Sequence, residues 1–247
     1  MYNYFSSYLC IVISKRRQQM VKSFLNVFSI CLIVLFSTSC SHTTTTGDKA
    51  VLDSAQQVAE LSGRVFSIDQ SVSSIAWLAT HRGGLLPRYG TIGLLEGSLS
   101  VKNKEITAGS FTFDISTIKV NSISTDSSSD KASDLEKHLK NEDFFNIERY
   151  PNAKFEITSV KDYDSAVLVT QMDSATNIVS GNLTIKDSTI NITFPAKIDI
   201  TKKSVLVNAK FKIDRTLWGL NYKAQGDPKD WAISRDLEMT LHLIFKK

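Results

Sequence analysis

From Gly63 to the C-terminus, apolar and polar residues alternate with a period of two, and this repeat restricts the chain to β-structure. In segment 110–115, Phe111, Phe113 and Ile115 share one face of an extended strand and the polar residues share the other. Segments 205–213 and 237–245 repeat the pattern. Because each strand is apolar on one face only, we expect antiparallel sheets with one wet side. Many such strands predict a sandwich or a closed barrel.

Two segments depart from this period. In 130–141, apolar residues fall at helical spacing after a Ser- and Asp-rich entry, which predicts one helix inserted into the β domain. Segment 49–61 also has the composition of a short helix. At about 185 residues, the stretch 63–247 is long enough for one domain with a sizeable core.

An apolar run from Phe24 to Phe36 follows Lys22 and precedes Cys40. The run is shorter than the roughly 20 residues of a membrane-spanning helix. A basic residue, a short apolar run and small residues before a cysteine are typical of a secretory signal that ends at a lipid-attachment site. We therefore predict a signal peptide over 1–39, lipidation of Cys40, and a flexible polar spacer over 40–62.

Two alternatives stay open in this region. Ser37 stands three residues before Cys40, where bacterial lipoprotein signals usually carry Leu, so plain secretion without a lipid is the second interpretation. Met20 is an alternative start, which would make residues 1–19 a misassigned beginning. In either case the protein is expected to be exported: anchored to a bacterial membrane and facing the periplasm, or secreted or periplasmic if Cys40 carries no lipid.

The net charge of the expected mature chain differs from that of the whole sequence. The whole chain has 29 Lys and Arg against 25 Asp and Glu. Four of the cations and none of the acids lie in 1–39, so residues 40–247 are neutral. A neutral domain lacks the basic excess of a nucleic-acid-binding protein. Two of the three cysteines also lie in 1–39, which leaves Cys40 without an intrachain disulfide partner.

Motifs of enzymes and metal sites are absent from the sequence. It contains no G-x-S-x-G, H-E-x-x-H, phosphate-binding glycine loop or C-x-x-C. The four histidines fall in unrelated contexts, without the spacing of metal ligands. We therefore expect a non-enzymatic protein with no metal and no cofactor.

Five ordered blocks of residues are jointly specific for one protein family. The densest is HLKNEDFFNIERYPNAKFEITSV over 138–160, and the last is KFKIDRTLWGLNY over 210–222. The other three are FSIDQSVSSIAW over 66–77, ITAGSFTFDISTIKVNSI over 106–123 and VSGNLTIKDSTINITFPAKI over 179–198. Together they resemble the YceI-like family of bacterial exported lipid-binding proteins. The resemblance spans 65–247, although Asp187 and Ser188 replace the family's usual glycine turn.

This resemblance implies an extended, antiparallel, lipocalin-like β-barrel of about eight or more strands, with one inserted helix, over 63–247. It also implies an apolar tunnel that holds a polyisoprenoid or another long-chain lipid. An eight-stranded barrel is either filled by its own side chains or holds one ligand, so any single inward residue is ambiguous. The residues predicted to line the tunnel are Trp77, Phe111, Phe113, Phe155, Ile157, Leu183, Phe194, Phe211 and Trp218.

Two residues are candidates for contact with a ligand head group. Arg215 belongs to the closing motif; it would either pair structurally with a carboxylate such as Asp69 or meet a phosphate at the tunnel mouth. His81 lies in the glycine-containing loop THRGG, where a position at the mouth is plausible.

The resulting hypothesis is a membrane-tethered barrel, monomeric or homodimeric, that binds, carries or sequesters a long apolar lipid at the cell envelope. The first alternative is a fully packed barrel whose outer surface binds an envelope partner. A further alternative, an isoprenoid-modifying or stress-protective enzyme, predicts a strongly perturbed titratable group inside the tunnel.

Overall fold

The computed structural model describes residues 45–81, 86–123, 132–224 and 233–247, which lie within one unit, Thr43–Lys247. The predicted signal peptide over 1–39 and the lipidation site at Cys40 fall outside the described residues. Within these ranges, the chain forms eleven strands, one α-helix and one turn of 3₁₀ helix, Arg215–Trp218. Their bounds are β1 Asp48–Lys49, β2 Val51–Ser54, β3 Arg64–Ile68, β4 Ser74–His81, β5 Leu86–Lys102, β6 Glu105–Ile123, α1 Ala132–Lys140, β7 Asn152–Asp162, β8 Asn177–Ile185, β9 Ser188–Ile200, β10 Ser204–Asp214 and β11 Ile233–Lys246.

Strands β3 to β11 close into an antiparallel barrel. From β5 to β11, each strand pairs with the next one along the chain. Strands β3 and β4 both lie between β11 and β5, so together they occupy one strand position in the barrel wall. The barrel therefore has eight strand positions. The predicted mainly β barrel with one helix is confirmed.

The alternating residues divide between the barrel interior and the outer wall. In β10, Val205, Val207, Ala209, Phe211 and Ile213 are all buried, and the polar residues between them are partly exposed. This division follows from the strand geometry, because successive side chains point to opposite faces.

Helix α1 lies at one end of the barrel, which we call the mouth. Its Leu135 and Leu139 pack against the core, and Glu136 fixes it to β6. The Glu136 carboxylate accepts a hydrogen bond from the Val120 backbone N–H at 3.0 Å and pairs with Lys119 at 3.3 Å. Where the structure describes it, this helix agrees with the one predicted over 130–141. No helix in the described ranges has the length and apolar content needed to cross a bilayer.

The helix expected over 49–61 is wrong, as is the expectation that the whole of 40–62 is a spacer. Strands β9 and β10 pair only from Ala196–Ile200 to Val205–Ala209 and separate towards the mouth. Residues 48–54 fill the resulting seam: β1 runs parallel to β10, and β2 runs antiparallel to β9. Unpaired backbone along an open seam offers hydrogen bonds that outweigh a weak local preference for helix. We call residues 48–54 the seam strand.

After the seam strand, the chain crosses the outer wall of the barrel. Gln56 exchanges two hydrogen bonds with the buried Asn182 side chain on β8. The Ala59 N–H donates to the Ile157 carbonyl on β7, and the Ser62 N–H donates to the Ser100 hydroxyl on β5. These contacts satisfy polar groups that the crossing itself buries. The barrel unit therefore includes residues well before the expected boundary at 63.

Candidate functional site

The barrel encloses an apolar cavity of about 100 Å³, which we call the deep cavity. Every described residue that lines it is apolar except Arg215. It brings together seven of the nine residues predicted for the tunnel, namely Phe111, Phe113, Phe155, Ile157, Leu183, Phe194 and Phe211. Inward positions on five different strands supply these seven side chains.

A continuous series of aromatic rings crosses this interior. Phe194 stacks on Phe211 with a centroid separation of 4.1 Å, and Phe155 lies 5.8 Å from Phe194. Phe111 then lies 6.0 Å from Phe155 and 5.5 Å from Phe245. Such separations are typical of favourable aromatic pairs. All of these rings except Phe245 line the deep cavity and give it a wall of flat aromatic side chains.

A second cavity, the mouth chamber, lies under α1 and has a volume of about 340 Å³. It shares five lining residues with the deep cavity, so the two adjoin; these are Ile92, Phe145, Arg215, Leu220 and Leu237. Unlike the deep cavity, it has a mixed lining that includes Trp77, Thr80, Arg88, His138, Tyr222 and Lys223. No Asp or Glu is among the described residues that line it.

A third cavity, the far-end cavity, lies at the opposite end of the barrel and has a volume of about 550 Å³. It adjoins the deep cavity through Ile106, Val160 and Ile198, which line both. Most of its other lining residues are polar or charged. The three cavities thus lie in series, with the apolar one in the middle.

Arg215 stands where the mouth chamber meets the deep cavity, and it is only 4% exposed. Four of its five N–H groups donate to backbone carbonyls. Nε binds Ser234 at 2.9 Å, Nη2 binds Tyr222 and Ile233 at 3.2 Å each, and Nη1 binds Leu220. Burial lowers the pKa of Arg215 from its ordinary value, and the Asp214 carboxylate opposes this shift. One Nη1–H is left without an acceptor among the described residues.

The expected ion pair between Arg215 and Asp69 is wrong. Asp69 pairs with Lys246 at 2.6 Å, and Asp214 pairs with Arg235 at 2.7 Å. Within the described ranges, no carboxylate lies at ion-pair distance from Arg215. The physical reason lies in the backbone around it: residues 220–222, after the 3₁₀ turn, and residues 233–234, at the start of β11, present their carbonyls to the guanidinium, which needs no carboxylate partner.

The two predicted tryptophans occupy different places. Trp77, 6% exposed, lines the mouth chamber rather than the deep cavity. Trp218 is fully buried in the 3₁₀ turn, and its Nε1–H donates to the Leu183 carbonyl at 2.9 Å. It lines none of the three cavities in the described part of the chain. The predicted position of Trp218 in the tunnel lining is therefore corrected: packing at 0% exposure and a committed N–H make it part of the core.

His81, the second head-group candidate, ends β4. Its backbone pairs with Leu86 on β5 and with Ile233 on β11. Ile233 itself lines the mouth chamber, so the backbone of His81 lies at the mouth end. The contacts of its side chain fall outside the described residues, and its role as a head-group contact stays a prediction.

Sequence reasoning missed an aromatic cluster at the mouth. The His138 ring lies 4.6 Å from Tyr222 and 5.1 Å from Phe144, and it bonds the Asp143 carboxylate at 3.0 Å. Phe144 belongs to one of the family-like blocks and Tyr222 to another, but nothing local places them together. Among the described residues, no group of three or more His, Cys, Asp or Glu is arranged to hold a metal ion.

Known structures share this fold. BcnA from Burkholderia cenocepacia matches with a TM-score of 0.54 and 14% sequence identity, over 72% of this chain and 98% of that chain. A polyisoprenoid binding domain from Saccharophagus degradans, implicated in plant cell wall breakdown, matches with a TM-score of 0.51 and 12% identity, over 77% and 99%. At these identities, the likeness establishes the fold. No curated protein sequence matches this chain.

The family resemblance that the sequence blocks predicted is confirmed independently of these structures. The YceI-like domain matches residues 66–245, which is well over half of the chain, spans strands β4 to β10 completely and covers all of β11 except Lys246. The seam strand lies before the matched region. On the strength of this match, the chain belongs to the YceI-like domain family.

Proposed function

We propose that this chain is a non-enzymatic binding protein that holds a polyisoprenoid, or a similar long-chain amphiphilic lipid, inside its barrel. The observation that carries the proposal is the series of three adjoining cavities with an apolar middle. A chain-like ligand fits such a series, because its hydrocarbon part needs an apolar passage and its head group needs a polar end. The related domain from Saccharophagus degradans is described as polyisoprenoid binding, which supports the same ligand class.

The energetics favour recognition of chain length and shape over head-group chemistry. Each methylene group that leaves water contributes about 0.8 kcal/mol. About ten such groups would therefore supply most of the binding free energy. At about 100 Å³, the deep cavity must widen before it admits a long chain. We expect rotation of its aromatic side chains to provide that room.

Native mass spectrometry after mild purification tests the proposal. We expect an adduct with the mass of a long-chain lipid on the barrel. After delipidation, an added polyisoprenol should raise the melting temperature, while a short-chain alcohol at equal concentration should not. A bare chain, together with a melting temperature that no isoprenoid or fatty acid changes, would contradict lipid binding.

One observation favours a second function, that of a packed barrel whose outer surface binds an envelope partner. The deep cavity is small for a carrier, and an engineered apolar cavity of about 150 Å³ admits only a ligand of benzene size. The two functions differ in a measurable way. A carrier is expected to lose amide protection in β7, β8 and β9 when its lipid is removed, whereas a packed barrel is expected to show the same hydrogen exchange before and after delipidation.

The proposed location is the bacterial envelope, with Cys40 as the lipid-anchor site after removal of residues 1–39. The order of basic, apolar and small residues before Cys40 supports this placement. An anchor of several acyl chains would hold firmly, whereas one chain holds only marginally. Metabolic labelling with an alkyne fatty acid should mark the wild type and not Cys40→Ala. If both are labelled equally, Cys40 is not the anchor.

A further inference from the structure

Trp77 carries a buried N–H group without an acceptor. Its Nε1 is inaccessible to solvent and has no hydrogen-bond partner in the described part of the chain. Buried indole N–H groups usually find a partner, and an unsatisfied one costs free energy in the ligand-free protein. The exception therefore requires an explanation.

The surroundings of Trp77 favour an oxygen atom of a ligand as the missing acceptor. Trp77 lines the mouth chamber, whose volume of about 340 Å³ leaves room for a head group. The chamber also contains Arg215, which has one N–H to spare, and the cationic Lys223, but no Asp or Glu among its described lining residues. A lining with donors and positive charge disfavours an ammonium group and favours an acceptor.

Trp218 provides a matched case in the same molecule. Both indoles are at least nine-tenths buried, but the Trp218 N–H donates to the Leu183 carbonyl. The barrel thus satisfies one indole N–H and leaves the other, on a side chain that lines the mouth chamber, without an acceptor among the described residues. Because both positions already accommodate a tryptophan ring, the difference lies in the N–H group and not in the size of the side chain.

We propose that Trp77 is a specificity contact, which donates its Nε1–H to an oxygen acceptor on the head of the lipid ligand. The acceptor is a carbonyl, ether, hydroxyl or phosphate oxygen, held in the mouth chamber while the chain enters the deep cavity. This inference rests on the proposed function, because the head group reaches the chamber only if the barrel takes the chain.

Two isoprenoid ligands of the same length isolate this contact. Phytone is a branched isoprenoid methyl ketone, and pristane is its hydrocarbon counterpart with a methyl branch in place of the ketone oxygen. Competition against a fluorescent fatty-acid analogue gives both affinities for the delipidated protein. We expect phytone to bind about tenfold more tightly, which is the factor that corresponds to about 1.4 kcal/mol.

The variants Trp77→Phe and Trp218→Phe then separate the two indoles. Trp77→Phe should reduce the preference for phytone to about onefold, since Phe keeps an aromatic ring and lacks the N–H. Trp218→Phe should retain the tenfold preference. A preference that survives in Trp77→Phe, or that is absent from the wild type while pristane still binds, would overturn the role of Trp77. If neither ligand binds the wild type, the proposed function itself fails.

A measurement on the unaltered protein guards against variants that do not fold. The chain has three tryptophans, so its indole N–H resonances are few in a ¹⁵N spectrum. Phytone should move the Trp77 resonance downfield, pristane should not, and the Trp218 resonance should respond equally to both. Equal movement of the Trp77 resonance with the two ligands would contradict the hydrogen bond.

Discussion

The mouth chamber and the far-end cavity adjoin the same apolar interior, yet their linings are chemically different. The mouth chamber combines aromatic rings with the cations Arg88, Arg215 and Lys223. The far-end cavity has no aromatic residue among its described lining, and its charges are of both signs, as in Lys104 and Glu105. The barrel is therefore directional, and an amphiphile that enters it has a preferred end for its head group.

The connections between strands also differ between the two ends of the barrel. At the far end, β5 and β6 are joined by the tight turn Asn103–Lys104, in which both residues have positive φ. Such a turn is the common two-residue connection of a hairpin and leaves no chain to build a site. At the mouth, α1, the turn after it and the 3₁₀ turn lie between strands and supply Leu139, Phe145 and Arg215, respectively. The far end also has the long connection 163–176 between β7 and β8, but Thr176 is the only described residue of that connection that lines the far-end cavity.

The largest loss of unfolding free energy is expected from a substitution in the deep cavity, which lies between the mouth chamber and the far-end cavity and is lined by the aromatic series. Phe194→Ala removes a 3%-exposed ring that stacks on Phe211, so the free energy of unfolding should fall by about 3–5 kcal/mol. Urea denaturation of the delipidated protein measures this change. Leu217→Ala, at a 43%-exposed position, is the control and should change it by less than about 0.5 kcal/mol. A loss below about 1 kcal/mol for Phe194→Ala would show a deep cavity that collapses freely.

The next largest effect should separate the two ends. Arg215→Met leaves several buried carbonyls without donors, so we expect a loss of at least about 2 kcal/mol in unfolding free energy. Lys161→Met replaces an exposed cation of the far-end cavity and should cost less than about 0.5 kcal/mol. Parallel urea titrations compare the two variants. Equal losses of unfolding free energy in the two variants would contradict the contrast between a mouth held by buried hydrogen bonds and a far end exposed to solvent.

A smaller effect should distinguish the two indoles in the absence of ligand. Trp218→Phe breaks the hydrogen bond to the Leu183 carbonyl, whereas Trp77→Phe removes an N–H that has no acceptor among the described residues. The first should therefore lower the unfolding free energy by about 1 kcal/mol more than the second. Thermal unfolding of the delipidated variants checks the order. A greater loss for Trp77→Phe would indicate that its N–H is already satisfied in the free protein.

The smallest effect concerns acid stability at the mouth end. Burial raises the pKa of Asp214, but hydrogen bonds from Thr216 and the Arg235 pair outweigh it and hold the pKa below its ordinary value of 3.8. A carboxylate with a lowered pKa stabilises the fold above its unfolded-state pKa and loses that contribution as the pH falls through the folded value. The melting temperature of Asp214→Asn should therefore fall less than that of the wild type below about pH 4.

The partner variant gives the control for this prediction. Arg235→Met removes the cation 2.7 Å from Asp214 and should also make the melting temperature fall less steeply below about pH 4. The effect should be smaller than that of Asp214→Asn, because the hydrogen bonds from Thr216 remain. If the melting temperature of Asp214→Asn falls below about pH 4 as steeply as that of the wild type, other carboxylates cause the loss of stability. Asp69 is the first of these to replace. Its pKa is lowered by hydrogen bonds from Lys246 and Ser71.

The barrel walls were predictable from the sequence because a local period of two determines which residues face inward. Seven of the nine predicted tunnel residues indeed line the deep cavity. The partners of Arg215 and the two environments of Trp77 and Trp218 were not predictable, since they depend on contacts between residues that lie far apart in the sequence. The seam strand was missed for a related reason: Asp48 pairs with Phe211, far along the chain, and no local pattern encodes that partner.

The seam strand also constrains the order in which this protein is able to fold. Its residues are synthesised before every strand of the barrel, but their partners on β9 and β10 lie more than 130 positions later. Pairing over such a separation is intrinsically slow, because the long intervening loop must close first. Until Phe211 has been made, two sheet edges and one unpaired strand are open to other chains. Closing the seam therefore joins nearly the first described residues to nearly the last strands, and it lengthens the interval during which the new chain is open to aggregation.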